Sequence, residues 1–392
     1  MASSLQLLLV FSFVFTVRFS VAQNPSLGNA KVLRVSKDAS TLQYWTQLYQ
    51  GPEMAPVKLV VDLGGPFTWL DCGSGRVSST RRRVRCGSLG CSAAKAGGCF
   101  SEAEACRLDT VNAVIRLEST GELAEDIMAV DQMGLGLSPI TAVDHFLFSC
   151  APSWLVNGLA SGAQGMLGLG RSRISLPSQL AAVDRKFAVC LSPAAGFVLS
   201  CDRPFPYPLT YTPLVSNQVA GKTEPDYYIN VRSIKINGKK LSLNTSLLSL
   251  GTKLSTIVPY TTMESSIFET FARAYTMVAA AMNLTRMEAV APFGACFRSD
   301  RTAPAVDLVL QSEMVKWRIQ SMVEVGGGVM CLGFLDGGSS QRGGIILGGY
   351  QLEDHLLEFN LGTLMLGFSS SLLKGQTSCS DFGLFSSPIE RA

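Results

Sequence analysis

Short apolar runs separated by turn residues recur along this chain. Two of them, at 58–62 and 67–71, flank Gly64-Gly65-Pro66, which predicts a strand, a turn and a second strand. Residues 227–236 alternate between polar and apolar side chains, and Asn237-Gly238 follows them. Alternation with period two predicts a strand, and the Asn-Gly pair predicts a hairpin that returns through 239–243.

Four further short runs near the end of the chain have the same character. They predict strands at 306–310, 314–319, 321–325 and 328–332. Helical patterns are fewer: the apolar residues of Ser265–Met282 predict one long helix, and a short helix is expected after Ser175. Many short strands with few helices predict an all-β protein.

The two halves of the chain repeat one pattern. A strand and turn at 59–65 are followed by an apolar strand that ends in glycines at 165–170. A second strand and turn at 254–261 are followed by a similar strand at 344–349. Each pair is about 100 residues apart, which indicates two lobes related by duplication, with lengths typical of single domains.

The start of the chain predicts secretion. The apolar run at 5–17 has the length of a signal-peptide core, and Ser20-Val21-Ala22 supplies the small residues of a cleavage site. A membrane anchor is the alternative, but Arg18 makes the run short for a bilayer. We therefore expect a signal peptide at 1–22, an N-terminal lobe at 23–205 and a C-terminal lobe at 206–392, with a proline-rich connection near the boundary.

Composition narrows the function. With 33 basic and 30 acidic residues the formal net charge is +3. A nucleic-acid binder would normally show a larger or more clustered basic excess. Only two histidines, His145 and His355, are present, so a His-rich metal site and a Ser-His-Asp triad are not expected. We expect no cofactor and no metal. A run of arginines at 81–85 is either a contact for an acidic partner or a solvated loop.

Eleven cysteines agree with an oxidising destination. Five of them crowd residues 72–106, where no Cys-x-x-Cys pair and no histidine supports a zinc site, so disulfides are favoured. The odd number leaves at least one thiol without an intramolecular partner. Asn244 and Asn283 begin glycosylation sequons, which also suit a secretory route.

These features resemble the pepsin-like aspartic proteases over nearly the whole mature chain. Val60–Gly65 stands where the first catalytic motif of that family belongs, and Gly165–Gly170 resembles its supporting strand. Ile346–Tyr350 resembles the second supporting strand, and Leu364–Phe368 the last strand. The resemblance implies an all-β, bilobal pepsin-like fold with a few short helices.

The resemblance also implies a broken catalytic centre. Proteases of this family use two aspartates that share one proton across a bound water. Asp62 stands at the first position, whereas alignment on Tyr260-Thr261 places Ser255 at the second. The tyrosine that the proteases carry in the flap is also missing. We therefore expect no functional catalytic residue, with Asp62 and Ser255 as degenerate dyad positions.

A narrower group shares further motifs, namely Trp69–Cys72, Gly121–Asp126, Asp307–Gln311 and Gly367–Leu373. It contains the cereal xylanase inhibitors, the xyloglucan-specific endoglucanase inhibitors, extracellular dermal glycoproteins and basic seven-S globulins. Resemblance to this group implies a secreted monomer of the plant cell wall space that is proteolytically inactive. It implies a defence role, the inhibition of microbial glycoside hydrolases, with no nucleic-acid partner and no membrane association after signal cleavage.

Individual residues follow from this resemblance. It implies disulfides Cys296–Cys331 and Cys190–Cys379, and it makes Cys201 the odd cysteine because a glycine is expected there. Arg301 and Lys374 match the positions of two inhibitory arginines, although ordinary solvated side chains are the alternative. The loop at 372–379 has no histidine, which disfavours xylanase as the target. A weakly active aspartic endopeptidase and a storage-like or ligand-binding glycoprotein are the competing functions.

Overall fold

The structure is a computed structural model. It describes residues 30–73, 78–95, 98–99, 105–132, 140–180, 185–200, 207–219, 222–341 and 343–381. The predicted signal peptide at 1–22, the predicted lobe boundary at 205/206 and Cys201 lie outside the described residues. Strands dominate and helices are few, so the predicted all-β class is confirmed.

The described residues of the first half form twelve strands, two α-helices and one 3₁₀ helix. These elements are β1 (Lys31–Lys37), β2 (Tyr44–Gln50), β3 (Ala55–Asp62), β4 (Trp69–Asp71), β5 (Arg82–Arg83), α1 (Leu89–Ala94), β6 (Gly98–Cys99), β7 (Cys106–Asn112), β8 (Leu117–Gln132), β9 (Ile140–Ala151), the 3₁₀ helix Ser153–Val156, β10 (Gly165–Gly168), α2 (Leu176–Leu180), β11 (Lys186–Cys190) and β12 (Gly196–Ser200).

The part of the second half that the structure describes adds eighteen strands, two α-helices and two 3₁₀ helices. They are β13 (Thr210–Val215), β14 (Gln218–Val219), β15 (Lys222–Thr223), β16 (Tyr227–Ile229), β17 (Ser233–Ile236), β18 (Lys239–Lys240), the 3₁₀ helix Thr245–Leu248, β19 (Thr252–Leu254), β20 (Thr261–Met263), α3 (Ser265–Ala281), β21 (Arg286–Met287), β22 (Cys296–Arg298), β23 (Val306–Val309), β24 (Lys316–Ile319), β25 (Met322–Gly326), β26 (Val329–Leu332), β27 (Phe334–Asp336), β28 (Ile345–Leu347), α4 (Gly349–Leu352), β29 (Leu356–Asn360), β30 (Met365–Phe368) and the 3₁₀ helix Leu372–Gly375.

Six antiparallel strands of one larger sheet join the two halves. They lie in the order β1-β12-β11-β29-β30-β13, so strands from both halves are hydrogen-bonded side by side. Aromatic side chains pack on these strands. The rings of Phe187 and Phe359 stack with their centroids 4.8 Å apart, and the ring centroid of Tyr227 lies 4.6 Å from that of Phe359. Burial of these rings holds the halves in a fixed relation.

The long helix α3 forms where the apolar spacing predicts it. Glu264 caps its start, because its carboxylate accepts hydrogen bonds from the backbone N–H groups of Ser266 and Ile267. Residues four positions apart, Ile267, Phe271, Tyr275 and Ala279, are buried and line one face. The helix therefore packs as an amphipathic element against the second half of the chain.

The prediction of one strand over 227–236 is wrong. Residues 227–229 form β16, which pairs with β13 and β19, whereas 233–236 form β17 in a different sheet with β18 and β23. All three residues of β16 are buried, so its sequence pattern carries no sign of the change of sheet. The hairpin forms as predicted, with φ of 47° at Asn237 and 82° at Gly238.

Candidate functional site

Two strand ends meet at the centre of the molecule. In the first half β3 ends at Asp62, and β10 runs parallel to it with Gly168 opposite Asp62. In the second half β19 ends at Leu254, and β28 runs parallel to it with Leu347 opposite Leu254. Each half therefore supports a turn with a neighbouring parallel strand, which ends at Gly168 in the first half and is followed by Gly348 in the second.

A backbone hydrogen bond closes each turn against its supporting strand. The N–H of Gly170 donates to the carbonyl of Gly65 at 2.8 Å, three residues after Asp62. In the second half the N–H of Gly349 donates to the carbonyl of Val258 at 2.8 Å, three residues after Ser255. Each turn therefore begins with a polar side chain, a carboxylate in the first half and a hydroxyl in the second.

Both side chains stabilise their own turn. The Asp62 Oδ1 atom accepts a hydrogen bond from the Gly64 N–H at 3.1 Å. The Ser255 Oγ atom accepts from the N–H groups of Ile257 and Val258 at 3.2 and 3.3 Å. The serine hydroxyl, with the residue only 5% exposed, therefore serves as an acceptor for the turn.

Thr256 links the two turns. Its Oγ1 atom donates to the carbonyl of Val61 at 2.6 Å and accepts from the N–H of Leu63 at 3.0 Å. Leu63 lies in the equivalent position of the first turn and has no hydroxyl, so no such bond runs in the opposite direction. The contact between the turns is therefore one-sided, and burial makes each of its two hydrogen bonds important.

A cleft of about 260 Å³ lies above the turns. Asp62 and Ser255 line it, and so do Asp226 and Lys253, two residues that the sequence analysis did not single out. The Lys253 Nζ atom lies 2.6 Å from the Asp226 Oδ1 atom, with the two side chains 29% and 15% exposed. The cleft is therefore lined by the Asp62 and Asp226 carboxylates and the Lys253 ammonium group, together with side chains from other elements.

Gly64 allows Asp226 to reach this position. A Cβ atom built on Gly64 would lie only 2.0 Å from the Asp226 Oδ1 atom. No side chain larger than hydrogen therefore fits while Asp226 keeps its place. The glycine in the first turn thus admits a second carboxylate from the segment before β16.

Ionisation in the cleft depends on this group of charges. Burial, together with the negative charge of Asp226, raises the pKa of Asp62 from 3.8 to about 6, while Lys253 and the turn N–H groups act in the opposite direction. Burial also raises the pKa of Asp226, and Lys253 again opposes the change. Lys253 thus stabilises the charged form of both carboxylates.

Lys253 could have been found from the sequence, but Asp226 could not. Lys253 lies two residues before Ser255, and side chains two apart on a strand share a face, so Lys253 points towards the same cleft. Asp226 precedes β16, whose residue Tyr228 is opposite Lys253. Only that pairing brings Asp226 near the first turn.

A hairpin of β7 and β8 covers one side of the cleft. Asp109, Val111 and Arg116 from this hairpin line it, and Arg116 adopts a left-handed conformation with φ of 55° in the turn. Val111 is 45% exposed, so an aliphatic side chain stands on the open hairpin. The cleft is therefore bordered by two charged side chains and one aliphatic side chain from this direction.

The chemistry available in the cleft differs from that of a dyad. Two carboxylates that share a proton need equivalent positions around one water, and the second turn offers a hydroxyl that does not titrate near neutral pH. Asp226 stands outside that turn and is paired with Lys253. Among the described residues, no group of three or more His, Cys, Asp or Glu side chains could hold a metal ion.

Arg301 and Lys374 lie on exposed loops rather than in the cleft. Arg301 follows β22, and the disulfide Cys296–Cys331 ties that strand to β26. Lys374 lies in the 3₁₀ helix Leu372–Gly375, and its loop ends at the disulfide Cys190–Cys379. Both cationic side chains are exposed on segments held by a disulfide.

Asp354 adds a second attachment for the Lys374 loop. Its carbonyl accepts from the Leu372 N–H at 2.8 Å, and its Oδ1 atom accepts from the Cys379 N–H at 3.0 Å. One buried residue therefore holds both ends of this loop. The conformation of the loop is fixed before any partner binds.

Other predicted positions are also on the described surface. Asn244 and Asn283 are exposed, as glycan attachment requires. The crowded cysteine segment contains the disulfides Cys72–Cys150 and Cys91–Cys106, and Cys86 is also disulfide-bonded. Within the arginine run, the Nε atom of Arg83 lies 3.1 Å from the Oε2 atom of Glu122 on the protein surface.

No described helix is both long and apolar enough to cross a bilayer.

Comparison with known proteins identifies the relatives of this architecture. Residues 44–199 match the family model described as xylanase inhibitor N-terminal, and residues 226–370 match the one described as xylanase inhibitor C-terminal. A protein of Nicotiana benthamiana named probable aspartic proteinase GIP2 is 44% identical, covering 98% of this chain and 100% of the relative.

Solved structures agree with the sequence matches. The crystal structure of edgp superposes with a TM-score of 0.85 at 43% identity, covering 92% of this chain and 98% of the other. Basic 7S globulin from soybean superposes with a TM-score of 0.81 at 34% identity, covering 91% and 99%. The expected bilobal pepsin-like fold is confirmed.

Proposed function

The chain belongs to the xylanase inhibitor family, and from that premise we propose that it is a secreted, proteolytically inactive inhibitor of microbial cell-wall-degrading glycoside hydrolases. Its preferred targets are xyloglucanases and other endoglucanases, and xylanases are secondary. The observation that carries the proposal is the pair of exposed cationic side chains, Arg301 and Lys374, on disulfide-held loops. The site of action is the extracellular space of the plant.

The geometry of the cleft supports the proposed loss of proteolysis. Ser255 stands where a second shared carboxylate would be needed, and its hydroxyl is used as an acceptor for its own turn. Lys253 draws Asp226 into an ion pair, so Asp226 does not replace the missing partner. Without two equivalent carboxylates, no group pair both activates the water and polarises the scissile carbonyl.

Inhibition would use the charge of the target. Glycoside hydrolases carry two carboxylates that flank the scissile bond in an open cleft. An arginine between them can form charge-assisted, bidentate hydrogen bonds. The guanidinium of Arg301 has the planar fork that such bonds need, whereas the Lys374 ammonium group supplies charge without the fork. The loops are held by disulfides and by Asp354, which lowers the entropy lost on binding.

A reducing-sugar assay of a fungal xyloglucanase with added protein tests the proposal. Wild type should inhibit, and Arg301→Ala combined with Lys374→Ala should weaken inhibition at least about tenfold. Arg298→Ala is the matched control, because Arg298 is exposed at the end of β22 near the same loop. Lys374→Arg should tighten binding, because it restores the bidentate fork.

Two outcomes would overturn the proposal. Equal inhibition by wild type and the double variant would show that other residues make the contact. Pepstatin-sensitive cleavage of a protein substrate at acidic pH, abolished by Asp62→Asn, would show that the cleft is an active protease.

A storage-like role is the second candidate. It is supported by the likeness to basic 7S globulin from soybean at a TM-score of 0.81. Abundance of the protein in seeds, together with failure to inhibit a panel of fungal xyloglucanases and xylanases, would favour storage over inhibition.

A further inference from the structure

A second region rich in cations lies on the outer face of the sheet β18-β17-β23-β24. Lys240, Lys235, Asp307 and Arg318 are directly opposite one another across its four strands. Residues in register across neighbouring strands share one face, so these four side chains form a row. The row places three cations and one carboxylate side by side.

The acidic side chains of this face are already engaged. Arg318 contacts Asp307 through two hydrogen bonds, at 2.7 and 2.9 Å. Lys235 is paired with Glu313, and the positive charges around Glu313, including Lys240, lower its pKa. Lys240 itself makes no ion pair with a described residue, so its charge is available at the end of the row.

A pocket of about 310 Å³ opens beside Lys240. Arg232 and Lys240 supply its charged wall, and Leu241, Leu243 and Leu248 supply an apolar one. Arg232 is exposed and its side chain, like that of Lys240, has no carboxylate partner among the described residues. The pocket thus combines two available cations with a hydrophobic surface.

The base of the pocket carries an unsatisfied hydroxyl. Ser233 lines the pocket and is only 4% exposed, and its Oγ atom makes no hydrogen bond with any described residue. A buried hydroxyl without a partner is costly, so such groups normally have one. A ligand with a hydroxyl group would satisfy it.

From this combination we propose that the pocket binds a uronate, a sugar ring that bears a carboxylate, within an acidic oligosaccharide. The carboxylate contacts Arg232 and Lys240 through charge-assisted hydrogen bonds. The C–H face of the ring packs on the leucines, and a ring hydroxyl pairs with Ser233 Oγ. The site is separate from the cleft and from Arg301 and Lys374. Besides the proposed inhibition, the protein would therefore also bind to an acidic polysaccharide matrix.

Other small ligands use the pocket less completely. A neutral sugar would leave both cations without an anionic partner. An inorganic oxyanion such as sulfate would contact the cations but leave the leucine wall uncovered. Only a ligand that is at once anionic, hydroxylated and partly apolar contacts all three kinds of surface.

Isothermal titration calorimetry with a galacturonic acid trimer tests this proposal. The full secreted protein is used in a buffer that contains EDTA, and the trimer's methyl ester and sodium sulfate are the comparison ligands. Arg232→Ala and Lys240→Ala should each weaken trimer binding at least about tenfold. Ser233→Ala should weaken it about threefold to tenfold.

Lys239→Ala is the matched control. Lys239 is exposed on the same two-residue strand and does not line the pocket, so it changes the net charge by the same amount. The affinity of Lys239→Ala for the trimer should stay within about twofold of wild type, because neighbouring residues of a strand point to opposite faces and Lys239 does not line the pocket. Thermal melting of each variant shows that a loss of binding is not a loss of fold.

Several results would overturn the proposal. They are the absence of trimer binding, equal binding of the methyl ester, equal loss in Lys239→Ala and Lys240→Ala, or binding of sulfate as tight as that of the trimer. Asn244 lies next to Leu243, so the titration is repeated after enzymatic removal of N-glycans. Binding that appears only then would show that the protein's own glycan fills the pocket, which also contradicts the proposal.

Discussion

Replacement of Asp62 by asparagine should stabilise the protein at neutral pH. Burial and the nearby charge of Asp226 raise the pKa of Asp62 from 3.8 to about 6. The native state therefore takes up this proton at a higher pH than the unfolded chain does. Between about pH 4 and pH 6 the native state binds more protons, so the free energy of unfolding falls as the pH rises through this window.

The size of the effect follows from the difference between the two pKa values. About two pH units correspond to about 3 kcal/mol for a carboxylate shielded from water. Asp62 lines an open cleft and is only partly buried, so solvent screens part of this cost and about 1 to 3 kcal/mol remains. An asparagine amide resembles the protonated carboxyl and still offers an oxygen to the Gly64 N–H.

Urea unfolding followed by tryptophan fluorescence, at pH 4, 5.5 and 7, measures the difference. Asp62→Asn should raise the free energy of unfolding by about 1 to 3 kcal/mol at pH 7 and by much less at pH 4. Asp144→Asn is the control, because Asp144 is an exposed aspartate on β9. A loss of stability at pH 7, or an equal change at pH 4 and pH 7, would refute the reasoning.

Two further predictions concern packing, one between the two halves and one inside the first half. Lys37→Met should cost about 3 kcal/mol at pH 7, because Glu353 is 4% exposed and would lose its ion pair at 2.8 Å. Burial already raises the pKa of Glu353, so the loss of stability in Lys37→Met should be smaller at pH 4. Adding Glu353→Gln to Lys37→Met should restore most of the stability at pH 7, because no unpaired charge is then buried. No recovery in the double variant would contradict this. Gly168→Ala should cost more than about 2 kcal/mol, because its Cβ would lie 2.4 Å from the Phe67 carbonyl oxygen. Gly294→Ala, where no atom lies within 4 Å of the Cβ, is the neutral control in the same unfolding assay.

Local patterns predicted many of the elements. The strands on both sides of Gly64-Gly65-Pro66, the hairpin at Asn237-Gly238 and the helix capped by Glu264 all form near their predicted positions. Each depends on a side-chain period or on a turn residue within a few positions, which are local properties of the chain. The prediction of one strand over 227–236 failed because the chain changes sheet within it, and an alternating pattern does not record which sheet each part joins.

The sequence by itself determined the strand-rich class, the repeat of a turn and a supporting strand in each half, and the hydroxyl at position 255. These follow from the order and spacing of residues. Only the tertiary structure decided that Asp226 and Lys253 form an ion pair beside Asp62. It also decided that the buried Ser233 hydroxyl has no hydrogen-bond partner among the described residues, in a pocket with Arg232 and Lys240. Such groups are assembled by strand pairing across sheets, and the free energy of burying and pairing charges depends on neighbours that are distant along the chain.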